Sequence, residues 1–185
     1  MAQSTFERAM KLAVVTGLKA SMGPALFTAS RRRPEARTLA MAAMGEMLID
    51  KVPYIVPSRS SWPLLIPRAA AGAWVANEVM KEDDTAQEPY VAAMGAAVAV
   101  GVGTFAPLIR GTLNRVLGIP DVVLAVAEDY LALKLGTEAV GMSMEEVGAI
   151  ARERATELGV PVNQICDEVA ERVRPVLQSA EAGSM

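Results

Sequence analysis

The stretch "YVAAMGAAVAVGVGTFAPLI", residues 90–109, contains no charged side chain. At about 1.5 Å of rise per residue, a helix of this length matches the roughly 30 Å hydrocarbon core of a bilayer. Gly95, Gly101 and Gly103 stud it, small residues of the kind that let helices approach closely in lipid. The rest of the chain is built from similar material. Hydrophobic residues make up 52% of it but aromatics only 4%, so Ala, Val, Leu and Met supply bulk that a soluble core usually takes in part from rings. Mean hydropathy is positive, at +0.28.

Other segments read in the same way. Lys11 to Ser30, "KLAVVTGLKASMGPALFTAS", is about the length of a span. Pro24 should kink it, and Gly17 and Gly23 should permit close packing. The cluster "RRRPEAR" at 31–37 then stops the helix, and a second helix is expected from Thr38 to Val52, ending at Pro53. Residues 53–68, "PYIVPSRSSWPLLIPR", carry four prolines, a spacing that argues against a continuous helix and for an interfacial or re-entrant stretch. The apolar piece 69–80 is too short to cross unless it begins inside that stretch, and "KEDDTAQE" at 81–88 reads as a solvated loop. After the clear span at 90–109, closed by Arg110 and Arg115, residues 120–136 give another helix with Glu128 and Asp129 near its middle. The expectation is an all-α, polytopic helical membrane protein of four to five spans over residues 1–137, followed by an amphipathic tail over 138–185.

Two arguments bear on topology. "MGPALFTASRRRP" followed by a helix holding Glu46 echoes "FAPLIRGTLNRVLGIP" followed by a helix holding Glu128, which fits an internal duplication or chance likeness between Gly-rich helices. The arginines after the first apolar segment place that loop on the cytoplasmic side. If 53–80 dips in and returns, four spans remain and the tail ends outside. If it crosses, there are five, the repeats are inverted and the tail is cytoplasmic, which is the arrangement favoured here. Glu7 and the lack of a small-residue cleavage site mark the N-terminal segment as retained rather than as a removed signal peptide.

Several chemistries are excluded by composition. With no histidine, the chain lacks Ser-His-Asp and Cys-His catalysis, imidazole metal ligands and the usual near-neutral proton shuttle. Cys166 is the lone cysteine, so neither an intrachain disulfide nor a CxxC site can form. Net charge is only −3 and no basic-aromatic stretch is present, so nucleic acid is not an expected partner. "AAVAVGVG" is not a phosphate loop, and Met41, Met44 and Met47 make packing groups rather than a metal site. No cofactor, metal site or catalytic residue is expected, and an enzyme is the least favoured class.

The charges within apolar helices are what remain. Glu46 and Asp50 are one helical turn apart and share a face, so in a low-dielectric site they would resist joint ionisation or hold a cation. Lys19 lies near the middle of the first apolar segment, and a Lys19–Glu46 ion pair would remove two burial penalties at once. Asp50, beside Pro53, also reads as a helix-end residue reaching water. Glu128 and Asp129 lie about 100° apart on a helix, so at least one must face another helix or a polar cavity. Arg68 is positioned either to reach one of them or to anchor at lipid phosphate. Lys19, Glu46, Asp50, Glu128 and Asp129 are thus the candidate ion- or solute-binding residues.

The tail is different material. Ser143 and Glu146 form a capping-box pattern that opens a helix to about Leu158, closed by Gly159. A second helix is expected from about Pro161, with Val162, Ile165, Val169, Val173 and Val176 on one face. Residues 143–178 are therefore the candidate surface for a protein partner or a second copy.

"EMLIDKVP", "PRAAAGAW" and "LAVAEDYLALKLG" resemble, in order, the signature stretches of an uncharacterised bacterial integral-membrane family catalogued as domain of unknown function 4126. "GLKASMGP" fits its first-helix pattern, although that pattern often has Arg where this chain has Lys19. The likeness covers roughly residues 10–137 and implies a multi-pass bilayer protein, in bacteria of the inner membrane, without implying an activity. Two functions follow as expectations. One is a small transporter or channel with an intramembrane carboxylate site. The other is a non-catalytic membrane subunit or anchor that docks a larger complex through its C-terminal helices.

Overall fold

The computed structural model describes residues 4–49, 62–82, 89–157, 159, 171 and 174. Among these it holds seven α-helices and no strand: α1 (Thr5–Leu18), α2 (Met22–Ser30), α3 (Ala36–Ile49), α4 (Trp62–Glu82), α5 (Pro89–Leu117), α6 (Asp121–Val140) and α7 (Met144–Glu157). The all-α expectation holds. Asp50, most of the proline-rich stretch, and the second tail helix with Cys166, apart from Glu171 and Arg174, lie outside the described residues.

The first apolar segment does not run straight through. It breaks at Lys19–Ser21, where Lys19 is extended at φ −136° and ψ 112°, and then reverses. The reversal is visible in packing. A Cβ at Gly23 would collide with Thr16 Oγ1 and lie 2.8 Å from the Leu12 carbonyl, so α2 lies back along α1 only because glycine stands there. At the other end, Arg8 of α1 and Arg31 after α2 reach the same carboxylate, Glu82. Segment 5–30 is thus a helical hairpin with its tip at residues 19–21, not a kinked span. Pro24 explains the position of the break: its ring would clash with the carbonyl of residue 20 in a continuous helix, but it is tolerated in the first turn of a new one.

Proline is accommodated differently in α4 and α5. Pro63 falls in the first turn of α4, where no intrahelical N–H bond is lost. Pro67 and Pro107 stand inside continuous helices. Residues 62–68 are therefore helical, contrary to the expectation from proline spacing, and the helix after Tyr90 continues past Arg110 to Leu117. Pro24 follows a break while Pro107 does not, so the two halves that echo in sequence differ in form at this point.

α4 and α5 pack along two facing rows that are small except at Arg68. Arg68, Gly72 and Ala76 on α4 face Gly103, Ala99 and Gly95 on α5. A Cβ at Gly72 would sit 2.6 Å from the Gly95 carbonyl oxygen, and one at Gly95 would sit 2.6 Å from that of Gly72. This is the small-xxx-small contact that brings backbones together. α1 lies against α4, α5 and α6 and forms the centre of the bundle, with Leu12, Val15, Val75 and Val79 wholly buried. Val91, Gly95, Ala99 and Gly103 form one buried row on α5, while Met94, Phe105, Leu108 and Ile109 are exposed.

Among the described helices, α5 alone is long and apolar enough to cross a membrane. The expected four to five spans are not supported. The segment 11–30 turns back, α3 covers 14 of the described residues, α4 carries Arg68, Glu78, Lys81 and Glu82, and α6 carries Asp121, Glu128, Asp129, Lys134 and Glu138. Beyond α6, closed by left-handed Gly141, α7 folds back onto α3 and α6. Its capping box forms as expected, with Glu146 N–H donating to Ser143 Oγ at 3.1 Å and Ser143 N–H to Glu146 Oε2 at 2.7 Å.

Candidate functional site: charges at the hairpin tip

Breaking a helix inside a bundle leaves backbone groups without helical partners, and each must find another. At the tip of the α1–α2 hairpin, side chains from two other helices serve this need. On the α2 side, the Ala20 and Ser21 N–H groups donate to the Glu46 carboxylate at 3.0 and 3.1 Å, and Ser21 Oγ donates to it at 2.8 Å. On the α1 side, the Gly17 carbonyl accepts from Arg68 Nε at 3.3 Å. A carboxylate thus faces the positive end of one helix dipole and a guanidinium the negative end of the other. The two are joined to each other, Arg68 Nη2 to Glu46 Oε1 at 3.4 Å.

Lys19 stands in the break itself and is fully buried. Its ammonium lies 2.9 Å from Asp129 Oδ1 on α6. Burial leaves Lys19, Asp129 and Arg68 at 0%, 5% and 6% exposure, values that charged side chains almost never reach unless paired. Among the described residues, the tip therefore gathers two cations and two anions, from the break at Lys19 and from α3, α4 and α6. Gly103 makes room for it: a Cβ there would lie 2.8 Å from Arg68 Cδ. Gly103 is also the midpoint of α5, so the cluster lies level with the middle of the longest apolar helix.

Most of the residues singled out in the sequence come together here, but their pairing differs. Lys19 is paired with Asp129, while Glu46 serves the hairpin backbone and Arg68, so the expected Lys19–Glu46 pair is replaced. The reason is the reversal at residue 19, which turns the lysine toward α6 and leaves the exposed N–H groups of residues 20 and 21 facing α3. Arg68 is buried rather than anchored at a surface. Of the adjacent carboxylates on α6, Asp129 faces the cluster, and Glu128 lies 3.6 Å from Arg110, which also binds Asp121. Glu128 thus belongs to a separate ion-pair group at the α5–α6 turn. Asp50 lies outside the described residues, so the Glu46–Asp50 pair has no structural account. Ser21 is the contributor that sequence reasoning missed; a serine just before Gly23-Pro24 is the local signal of a helix start.

A second polar region lies at the open end of the hairpin. Arg31 binds Glu82, and Arg33 binds Glu78 at 2.6 Å while lying 5.0 Å over the Phe27 ring. Among the described residues, no group of three or more His, Cys, Asp or Glu side chains is arranged to hold a metal ion.

No protein-family model, no curated protein and no solved structure matches this chain. The resemblance in the sequence therefore rests on its four short motifs alone.

Proposed function

We propose that this chain is embedded in a lipid bilayer, with α5 crossing and the α1–α2 hairpin entering to mid-depth, and that the hairpin-tip cluster binds and moves a small ion or solute. The observation that carries this reading is the position of Lys19, Asp129, Glu46 and Arg68 at a helix break level with the midpoint of α5. Lys19, Arg68 and Asp129 are buried while Met94, Phe105, Leu108 and Ile109 of α5 are exposed. Only 17% of the apolar window of α5 is buried, whereas the core helix of a soluble protein would be mostly covered. Broken helices with charged groups at their ends are a recurring way to build a midplane site, because irregular backbone at that depth must be enclosed by protein.

A proton or cation taken up at Asp129 would compete with Lys19 and loosen the contact between α1 and α6. An anion drawn to Lys19 or Arg68 would compete with Asp129 or Glu46 and loosen the same contacts. Either way, binding is coupled to the packing of the hairpin.

The test is flux in sealed liposomes, using proton- and ion-sensitive dyes with wild type, Asp129→Asn and Glu46→Gln, each checked for helicity and monodispersity. Flux of at least one ion above protein-free background, lowered about tenfold or more in a folded variant, is expected. Background flux for wild type across protons, alkali cations, halides and small organic solutes would overturn the transport reading.

The alternative of a docking subunit gains no support from α7. That helix lies on α3 and α6, and Arg37 binds its Glu157 at 3.2 Å.

A further inference from the structure

Two adjoining cavities lie beside α2, and they differ sharply in chemistry. One, of about 350 Å³, is lined by Arg32, Arg33, Arg37 and Arg154 and by no carboxylate. The other is an apolar slot of about 80 Å³ between α2, α3, α6 and α7, lined by Met22, Leu26, Met44, Leu133 and Val147 among others. Ala29 and Ile150 line both, so the basic cavity and the slot adjoin. The slot runs along α2 from Ala29, at the open end of the hairpin, toward Met22, next to its tip.

The backbone at Arg32 adds an independent observation. The Arg33 N–H reaches the Thr28 carbonyl at 2.9 Å and the Arg32 N–H that of Ala29 at 3.0 Å, the paired bonds of a Schellman C-cap. Arg32 occupies its left-handed position with φ +51°, where glycine is the unstrained choice. It is the one non-glycine with positive φ among the described residues. Its side chain is exposed, lines the basic cavity and has no ion-pair partner among those residues. Arg33 pairs with Glu78, and Arg37 and Arg154 share Glu157, which does not line the cavity.

We infer that the two cavities form one binding site for an anionic phospholipid, with the headgroup phosphate among Arg32, Arg37 and Arg154 and the first few methylenes of one acyl chain in the slot. The charge of the wide end and the dryness of the narrow end fit one amphiphile, and a soluble phosphate would leave the slot unused. Planar guanidinium groups suit the phosphate oxygens. Basic pockets at the headgroup level between helices are a known means of lipid recognition. The inference goes beyond the transport reading and does not require flux.

Native mass spectrometry of the full chain in an uncharged detergent tests it, with phosphatidylglycerol, phosphatidylcholine and glycerophosphoglycerol as probes and inorganic phosphate in a parallel thermal-shift arm. One phosphatidylglycerol bound at least tenfold more tightly than phosphatidylcholine is expected, with the lipid-free headgroup and inorganic phosphate giving no comparable binding. Arg32→Gly with Arg37→Gln should abolish that preference, and Arg32→Gly relieves the strained φ, so the variant should fold. Ala43→Trp, which fills the slot, should weaken phosphatidylglycerol binding with the arginines intact. Equal binding of the two lipids, a preference unchanged in the arginine variant, or a thermal shift from inorganic phosphate equal to that from lipid would overturn the assignment.

Discussion

Lys19 Nζ and Asp129 Oδ1 meet at 2.9 Å between the hairpin tip and α6, with both side chains removed from solvent. Removing one partner of such a pair leaves a buried charge without compensation, which typically costs about 3–5 kcal/mol. Asp129→Asn and Lys19→Met should each lower stability strongly. The double variant should lose clearly less than the sum of the two. Unfolding of the four proteins in one detergent, analysed as a double-mutant cycle, checks this. Additive losses would mean the pair is not coupled.

Glu46 meets two backbone N–H groups that no helix can satisfy. Glu46→Leu should leave them orphaned, at a cost of about 1–3 kcal/mol per group. The effect should be local as well as global. Amide exchange at Ala20 and Ser21 should accelerate more than exchange in the middle of α5.

The glycines of α5 separate into two kinds. At Gly95 an added methyl meets the Gly72 backbone, which cannot give way without parting α4 from α5. Gly95→Ala should therefore destabilise by about 1–3 kcal/mol, as overpacking does. At Gly101 nothing lies within 4 Å, so Gly101→Ala should be neutral or stabilise by up to about 1 kcal/mol through helix propensity. Thermal melts of the two variants side by side decide the point.

Glu146 gives a pH dependence of known sign. The Ser143 backbone N–H, and then its hydroxyl, hold the Glu146 carboxyl below its ordinary value of 4.5. A group whose folded pKa is depressed stabilises the fold above its unfolded pKa and loses that contribution as pH falls through the folded one. The stability advantage of wild type over Glu146→Ala should thus be constant above about pH 4.5 and shrink below it. Melts of both proteins between pH 7 and 3 provide the measurement. An advantage independent of pH would show that the cap does not depend on the carboxylate.

Local signals in the sequence were enough for some elements and not for others. The uncharged run 90–109 and the Ser143–Glu146 box are patterns within one helix, and α5 and α7 form where those patterns lie. The charged residues were also legible as exceptions to an apolar background, and four helices do bring Lys19, Glu46, Arg68 and Asp129 together. What the sequence concealed was direction. A helix that kinks at Pro24 and one that ends and reverses there share the same local residues. The difference is decided by contacts that span 25 or more residues, such as Glu46 with Ser21 and Lys19 with Asp129. Once the chain reverses, the pairing of Lys19 changes from α3 to α6, and a presumed crossing disappears. In α4, the burial of Arg68 depends on the missing side chain of Gly103, an absence on another helix that no reading of residues 62–68 would reveal.

The central claim is that α5 is bathed in lipid with the charge cluster at its mid-depth. Nitroxide labels placed singly at Ala93, Met94, Ala97, Phe105 and Leu108 on its exposed face, with Cys166 replaced by serine, report this directly in reconstituted bilayers. Their relaxation by oxygen against a water-soluble nickel chelate should give a lipid-like ratio at every site, deepest between Ala97 and Phe105. Water-like ratios across the exposed face would place α5 outside the bilayer and contradict the account.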